Sequence, residues 1–475
     1  MPLTKANSIT DIFKAFDPSP LDTKEELHQF YVSELNEIRG SDKMKTLALG
    51  IRRQIGRGYY KAFVMGHSGV GISTELTRLQ DDVSKEVRVL RLSANTDLDP
   101  VNFKPFDLIL RIALGLAEET AKPIPEGGAG STLPDDLTQA LLDWFHVEKV
   151  TLKTQTDNTA SANLGASSEG SLWGKLLGIS AGVKAEIKRA SGRASEIIEY
   201  REKNVGQLAD LTNRVIDDCN RRLKAETGLE WLVIGDDFDK PGIPEVSIEN
   251  TFIKYGNILG DLRCHLIMDV PIGLGHSSRA VQLPPQFEGP HNFPDTPVYQ
   301  KDHSPHKKGR DALRCVIAHR MDPALFDEGQ EERLIVASGG NLRDLFTLIV
   351  DASTHAELRD AATQRITAAD VDRAINSLRK EYRDHLGETA YDVEKPKLEA
   401  KLDKLIAVYL GEPESELPGS ALYSLLHGKA VQEFNGISWF GVHPLIVDFL
   451  SRLDRSELAP FRDPSNDNRL PGGSI

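Results

Sequence analysis

Cysteine is scarce. The three in this 475-residue chain, Cys219, Cys264 and Cys315, form no CxxC pair and no metal-ligand spacing. That excludes a disulfide scaffold or a cysteine-based zinc site, and predicts ordinary buried thiols in a reducing compartment. Long apolar runs are lacking too. The longest, around Phe106–Ala117 and Leu172–Val183, are short and interrupted by Arg111 and Lys175, so neither can span a bilayer. Lys5 has no apolar segment after it, so no secretory leader is expected and the cytoplasm is the default location. Positive charge is in deficit. With 57 Lys and Arg against 71 Asp and Glu, the net charge of −14 disfavours a protein that coats nucleic acid, and only a local basic patch could reverse that. What is present, 40% hydrophobic and 27% charged residues, is the composition of a globular chain of about three domains.

Against that background Gly66–Thr74, GHSGVGIST, stands out. Gly66 and Gly71 have the spacing of a Walker A phosphate loop, and Ser73 sits where its magnesium-binding hydroxyl belongs. The residue between them is Ile72, where the pattern has a lysine that reaches the β- and γ-phosphates. The context is that of a phosphate loop: an apolar strand Ala62–Met65 before it and a helix over Ser73–Ser84 after it. Gly66, Gly69 and Gly71 permit the backbone angles that turn successive N–H groups inward as an anion nest, and Thr74 would cap near the α-phosphate. The candidate nucleotide-binding set is therefore Gly66, His67, Ser68, Gly69, Val70, Gly71, Ile72, Ser73 and Thr74. A second segment, LVIGDDFDK, places Asp236 and Asp237 at the end of an apolar strand. This matches a Walker B element, in which Asp236 would hold Mg²⁺ through water beside Ser73 and Asp237 would polarise the attacking water. The rival reading is an acidic strand end, Asp236, Asp237 and Asp239, with no ligand. Arg343, in SGGNLRDLF at the start of a helix, is placed to reach a γ-phosphate. Arg320 is a candidate for a phosphate or subunit contact, and Asp269, ending HLIMD, for sensing the γ-phosphate.

Strands alternate with helices elsewhere in the first part of the chain, which predicts a parallel α/β sheet covered on both faces. A helix over Lys43–Ile55 precedes the first strand. Val87–Leu92, Trp231–Ile234 and His265–Met268 read as further strands, with Thr296–Tyr299 as a fifth, edge strand. Phe106–Lys122 has a helical apolar face. Ile179, Ala181, Val183, Ala185 and Ile187 alternate, so this stretch reads as a hairpin with Val150 and Leu152, or as a helix. Asp157–Ser171 is low in complexity, and Ser195–Lys224 reads as one long helix. The expected divisions are an N-terminal helical extension (1–57), a core (58–305) with an insertion at about 123–190, a helical lid (306–390), a winged-helix-like unit (391–455) and a disordered tail (456–475). In the lid, Thr367 and Asp370 form a variant capping box. In the last folded unit, Asn435-Gly436 between Ala430–Phe434 and Ile437–Val442 is a strong hairpin signal.

Together GHSGVGISTEL, LVIGDDFDK, the strand ending LIMDVP, and SGGNLRDLF followed by a wing resemble the AAA+/STAND branch of P-loop NTPases. Initiator-type ATPases and bacterial conflict-associated switch ATPases share that plan. The resemblance covers about residues 40–455 and is specific only at those motifs. It implies strand order 5-1-4-3-2, a lid carrying a sensor-2 arginine at Arg343, a C-terminal winged helix, and ATP or ADP with Mg²⁺ as ligands. It implies a regulatory ATPase, with a homo-oligomer or a separate effector protein as partner, in a defence or signalling role. A non-enzymatic scaffold and a DNA-binding initiator are the alternatives.

Ile72 is the departure from the family. Losing one charge-assisted hydrogen bond removes about 1.5–3 kcal/mol, which leaves weaker nucleotide binding within reach. Hydrolysis suffers more, because the lysine also offsets charge developing in the transition state. His67 lies in the loop but is mostly neutral at pH 7, and Lys61 precedes the strand on the wrong side, so neither replaces it. The hairpin AVQEFNGISWFGV has no Lys or Arg and only Lys429 borders it. Trp439, Phe440 and Val442 then suggest intramolecular docking or protein contact rather than DNA.

Overall fold

Five short strands pair in parallel to form the central sheet: β1 (Lys61–Gly66), β2 (Val87–Ser93), β3 (Glu230–Asp236), β4 (His265–Pro271) and β5 (Glu288–Phe293), in the order β2-β3-β4-β1-β5. Read from the other edge this is the 5-1-4-3-2 order that the motifs imply. The computed structural model describes residues 3–462 except 124–129, 131, 156–170, 193–194, 241, 278, 388–395 and 435–438.

The three central strands β1, β3 and β4 are buried at every position, as a sheet covered on both faces requires. Successive side chains alternate between those faces. From β1, Ala62 and Val64 join the core under helices Lys43–Gln54 and Ile72–Asp82, through Leu47, Ile51, Leu76 and Leu79. Phe63 and Met65 point the other way, into a core built with helices Pro105–Ala121 and Val205–Thr227. A third core joins the N-terminal segment, the lid helices and the C-terminal unit. There Phe16 meets Phe346 edge-on at 5.3 Å between ring centroids, and Ile12 and Ala15 are fully buried. Ala6, Ile9, Ile12, Ala15, Phe16, Val32 and Leu35 thus share a core with the lid, while helix Lys43–Gln54 packs with the sheet.

The lid comprises helices Lys307–Arg320, Gln330–Ala337, Leu342–Arg359 and Ala368–His385. At the start of the last, the Thr367 amide and hydroxyl both donate to the Asp370 carboxylate, at 2.9 and 2.8 Å. Beyond it, helices Leu398–Leu410 and Ser420–His427 lead to an antiparallel hairpin, β6 (Val431–Phe434) with β7 (Trp439–Val442), and then helix Pro444–Ser451. The Asn435-Gly436 turn lies outside the described residues. The hairpin docks within the chain: His276 Nε2 lies 2.7 Å from Glu433 Oε2, and the Phe440 ring meets the His276 ring edge-on.

Four expectations change, and one open choice between hairpin and helix is settled. The fifth strand is Glu288–Phe293, not Thr296–Tyr299; its first three residues are exposed, and Pro290 is tolerated because the strand is at an edge. Leu172–Ile187 is a helix, with Leu176, Ser180, Val183 and Ile187 buried at helical spacing, and Asp135–Gln155 is a helix as well, so there is no hairpin. The helix expected over Ser195–Lys224 is two, Ser195–Lys203 and Val205–Thr227, divided at Asn204. Cys315 is exposed, unlike the buried Cys219 and Cys264. Of the expected tail, Ser456–Arg462 forms a short 3-10 helix that buries Leu458 and Phe461, and the rest is outside the described residues. Most of the low-complexity stretch 157–171 is outside them too. No helix among the described residues is long and apolar enough to cross a membrane.

Candidate functional site

The loop follows directly from β1. Gly66 closes the strand, Gly69 and Gly71 take φ of 95° and 105°, and Gly71 leads into helix Ile72–Asp82. Only glycine enters that left-handed region readily, so both positions let the backbone curl over the helix N-terminus. The gap at Gly69 is also tight: a Cβ there would lie 2.5 Å from Arg343 Cβ and 2.6 Å from Asn341 Oδ1. Ile72 is 5% exposed and joins the sheet core with Val64, Leu76 and Phe293. Val70 is buried in the same core.

The lid holds the loop from above. Arg343 Nη1 donates to Ser68 Oγ at 2.6 Å, the Arg343 amide donates to the Gly69 carbonyl at 3.2 Å, and Asn341 Nδ2 donates to the Ser68 carbonyl at 3.2 Å. Behind it, His67 Nδ1 lies 2.9 Å from Asp295 Oδ2, with both side chains essentially inaccessible. Asp295 also accepts from Asn341 Nδ2 at 3.0 Å and from Gln432 Nε2 at 2.9 Å. Burial works to raise the Asp295 pKa, but the facing imidazole and the hydrogen bonds from His67 and Gln432 outweigh it and hold the carboxyl at about 2. One carboxylate thus touches the loop, the lid and the C-terminal hairpin. Thr74 is engaged differently: its Oγ1 accepts the Leu21 amide at 3.1 Å, tying the N-terminal segment to the loop helix.

The acidic side is built on β3. Ser73 Oγ donates to Asp236 Oδ1 at 3.1 Å, so the hydroxyl and carboxylate expected at the metal position do converge. The Asp236 carboxylate also accepts the Asp237 amide at 2.8 Å and Arg91 Nη2 at 2.5 Å. Asp237 stands at φ 68°, a conformation aspartate tolerates better than most residues. Its carboxylate accepts from Ser93 Oγ at 2.5 Å and lies 3.4 Å from Lys240 Nζ. Next to them, burial and then the charges of Asp239 and Asp236 raise the Asp269 carboxyl well above its ordinary range.

Most of these groups, though not Arg91 or Ser93, line one cavity of about 290 Å³. Its polar wall is the loop, Ser73, Thr74, Asp236, Asp237, Asp239, Lys240 and Asp269. Its apolar wall comes from the N-terminal segment, with Pro18, Leu21, Phe30 and Val32, and from Leu342 and Phe346 of the lid. Arg320 is in that wall, but its contacts are structural: Nη1 donates to the Ala15 carbonyl at 2.6 Å and the guanidinium covers the Phe346 ring at 4.4 Å. Burial lowers its pKa to about 10. Arg39, also in the wall, donates through Nε to Thr296 Oγ1 at 3.1 Å.

The structure therefore brings together Gly66–Thr74, Asp236, Asp237, Asp269 and Arg343. Sequence reasoning missed Arg91, Ser93, Asp295 and Asn341. Only the structure reveals Arg91 and Ser93, because β2 lies beside β3 in a register that pairs Ser93 with Asp236 and Arg91 with Ile234.

Sheet order, loop and following helix agree with one another. This is a P-loop-type sheet. No known protein family matches the chain, and no curated protein matches its sequence. The solved structures similar to it include these three. The Orc1 protein of Aeropyrum pernix, in complex with DNA, is 13% identical with a TM-score of 0.35, covering 88% of this chain and 80% of that one. Cdc6p of Pyrobaculum aerophilum is 13% identical at 0.38, covering 90% and 93%. A Walker-type ATPase of Pyrococcus abyssi is 12% identical at 0.40, covering 94% and 99%. Likeness at these scores carries nothing about function, which rests on the geometry above.

Proposed function

We propose that this chain is a regulatory P-loop protein of the AAA+/STAND type that binds ATP or ADP and hydrolyses it poorly or not at all. The observation that carries this reading is the convergence of the loop, the Ser73–Asp236 pair and Arg343 on a single cavity. Phosphates belong at the nest of amides between Gly66 and Thr74, at the positive end of helix Ile72–Asp82. The base belongs against the apolar wall of the N-terminal segment. The donor set fits a Mg²⁺ ion at one point: Ser73 gives its hydrogen to Asp236 and keeps its lone pairs, so Ser73 and Asp236 would be the residues to hold the ion. The ion would supply charge to offset the phosphates.

Hydrolysis is weak in this reading for two reasons. Ile72 offers no cation, and Asp237, the residue assigned to polarise water, is already engaged by Ser93 and Lys240. Arg343 reads the γ-phosphate by leaving Ser68, which ties occupancy to the lid (306–390) and the winged unit (391–455) packed on the core (58–305). With no basic residue on the described hairpin strands, the winged unit takes protein contacts rather than DNA, and an effector is a separate chain or a second copy.

Titration with a fluorescent ATP or ADP analogue, run beside a phosphate-release assay, tests the reading. Saturable binding with little turnover is expected, and Ile72→Lys should tighten binding by about tenfold. No binding at millimolar nucleotide would leave the scaffold alternative in its place, and turnover abolished by Asp237→Asn would defeat the claim of weak hydrolysis.

A further inference from the structure

We infer that Arg91 is a built-in cation at the metal corner of the cavity, so that nucleotide binding depends little on magnesium. This rests on the nucleotide reading above and adds the ionic requirement of the same site. Three acceptors converge on the Arg91 guanidinium: Asp236 Oδ2 at 2.5 Å, the Ser73 carbonyl at 2.9 Å and Thr77 Oγ1 at 2.8 Å. The first is the carboxylate at the end of β3, and the other two belong to the helix that carries the loop. Arg91 arrives there because β2 lies beside β3, and because alternation along VRVLRLS puts it on the face covered by helix Ile72–Asp82.

The consequence is electrostatic. Asp236 is 4% exposed, and a permanently charged guanidinium is in contact with it. Among the described residues no other cation pairs with Asp236, since Lys240 is paired with Asp237 and Arg343 binds Ser68. An unpaired Asp236, with Asp237 and Asp239 nearby, would repel a polyphosphate until a divalent ion screened it. With Arg91 in place that carboxylate is already offset, so the loop amides meet the phosphates without needing the ion. The geometry still leaves a position for the ion. A carboxylate has about four acceptor sites, and Asp236 uses three. Magnesium can therefore bind at Ser73, but little attraction is left there to make it obligatory. Arg91 does not line the cavity, so it stands in for the metal's charge at Asp236 and not for the missing lysine at the phosphates.

The test is equilibrium binding of a fluorescent ADP to the full chain, in millimolar magnesium chloride and in excess EDTA. For the wild type the two dissociation constants should agree within about threefold, whereas Arg91→Met should lose about tenfold or more in EDTA and recover in magnesium. Arg91→Lys, which keeps the charge, should behave as the wild type, with thermal melts confirming that each variant folds. A wild type that loses tenfold on chelation would overturn the inference while leaving nucleotide binding intact. So would an Arg91→Met protein with the wild-type ratio. The wild-type ratio alone decides if Arg91→Met does not fold. Absence of binding in both media would overturn the nucleotide reading, and this inference with it.

Discussion

The lid and the helical insertion are both attached to the same sheet, but by different kinds of contact. The lid and hairpin meet the loop through directional polar bonds: Arg343 and Asn341 to Ser68 and Gly69, and Asn341 and Gln432 to Asp295. The insertion helices Asp135–Gln155 and Leu172–Ile187, with helix Ser195–Lys203 after them, join the core on the opposite face, through Leu141, Phe145, Leu176 and Ile187. Their polar anchors, such as Ser180 to Glu118 and Arg201 to Asp107, are on helix Pro105–Ala121, and none of their described residues lines the cavity. Apolar packing tolerates small shifts, whereas a hydrogen bond to a loop carbonyl is lost with them. Change on the lid side should therefore reach the nucleotide, and change in the insertion should cost only stability.

The largest expected effect is from Gly69→Ala. The new methyl would collide with Arg343 and Asn341 at a left-handed backbone position. Strain and lost loop–lid contacts of about 3 kcal/mol should weaken nucleotide affinity about a hundredfold, as measured by titration. A near-normal affinity would mean that the lid does not set the loop.

Asp295→Asn keeps the shape and removes the charge. Chemical denaturation at neutral pH should show a loss of about 2–3 kcal/mol, since a buried charge-assisted cluster is broken. The pH dependence has a definite sign. The Asp295 pKa is lowered from an ordinary 3.8 to about 2 in the fold, so its contribution is complete above the ordinary value and fades as pH falls from there towards 2. The variant should lack this part of the acid transition. His443 acts over a separate window: burial lowers its pKa from 6.5 to about 4, so the unfolded chain takes up its proton first and stability declines as pH falls between those values.

The smallest effect on function is expected beside the insertion, in helix Ser195–Lys203. Arg201→Met removes pairing with Glu186 and Asp107 from a side chain that is 1% exposed. Asp107 keeps the Lys104 amide as a donor, which limits the cost to about 1–2 kcal/mol. Denaturation should show that loss, while nucleotide affinity stays unchanged. A parallel fall in affinity would erase the distinction between the two regions.

The parts of this molecule that were legible in the sequence are those where local chemistry and global role agree. The loop, the strands Ala62–Met65 and Trp231–Ile234, and the Thr367–Asp370 cap each carry their own pattern, and each forms within a residue or two of expectation. The misread parts hide their role. EGPHNF has no apolar alternation because β5 is an exposed edge held mainly by backbone pairing to β1. Leu172–Ile187 reads equally as strand or helix because glycine and alanine blur its helical face, and the spacing of its buried residues decides for the helix. In VRVLRLS an alternating arginine reads as a solvent-facing one, so Arg91 gave no hint that a carboxylate from the next strand awaited it. Asp295 is a lone acid in a Pro-Asp-Thr-Pro segment, and its meaning comes wholly from three partners distant in the chain.

That last residue has a mechanical consequence. Three segments that hang on one small anion behave like the legs of a tripod, and no leg can be lifted without changing the load on the other two. A binding partner that pulled Gln432 away would slacken His67 and Asn341 together, and a nucleotide that stiffened the loop would, by the same linkage, resist the pull. The strength with which the tail-end hairpin is gripped and the strength with which the glycine loop is braced are one quantity, read at two ends of the chain.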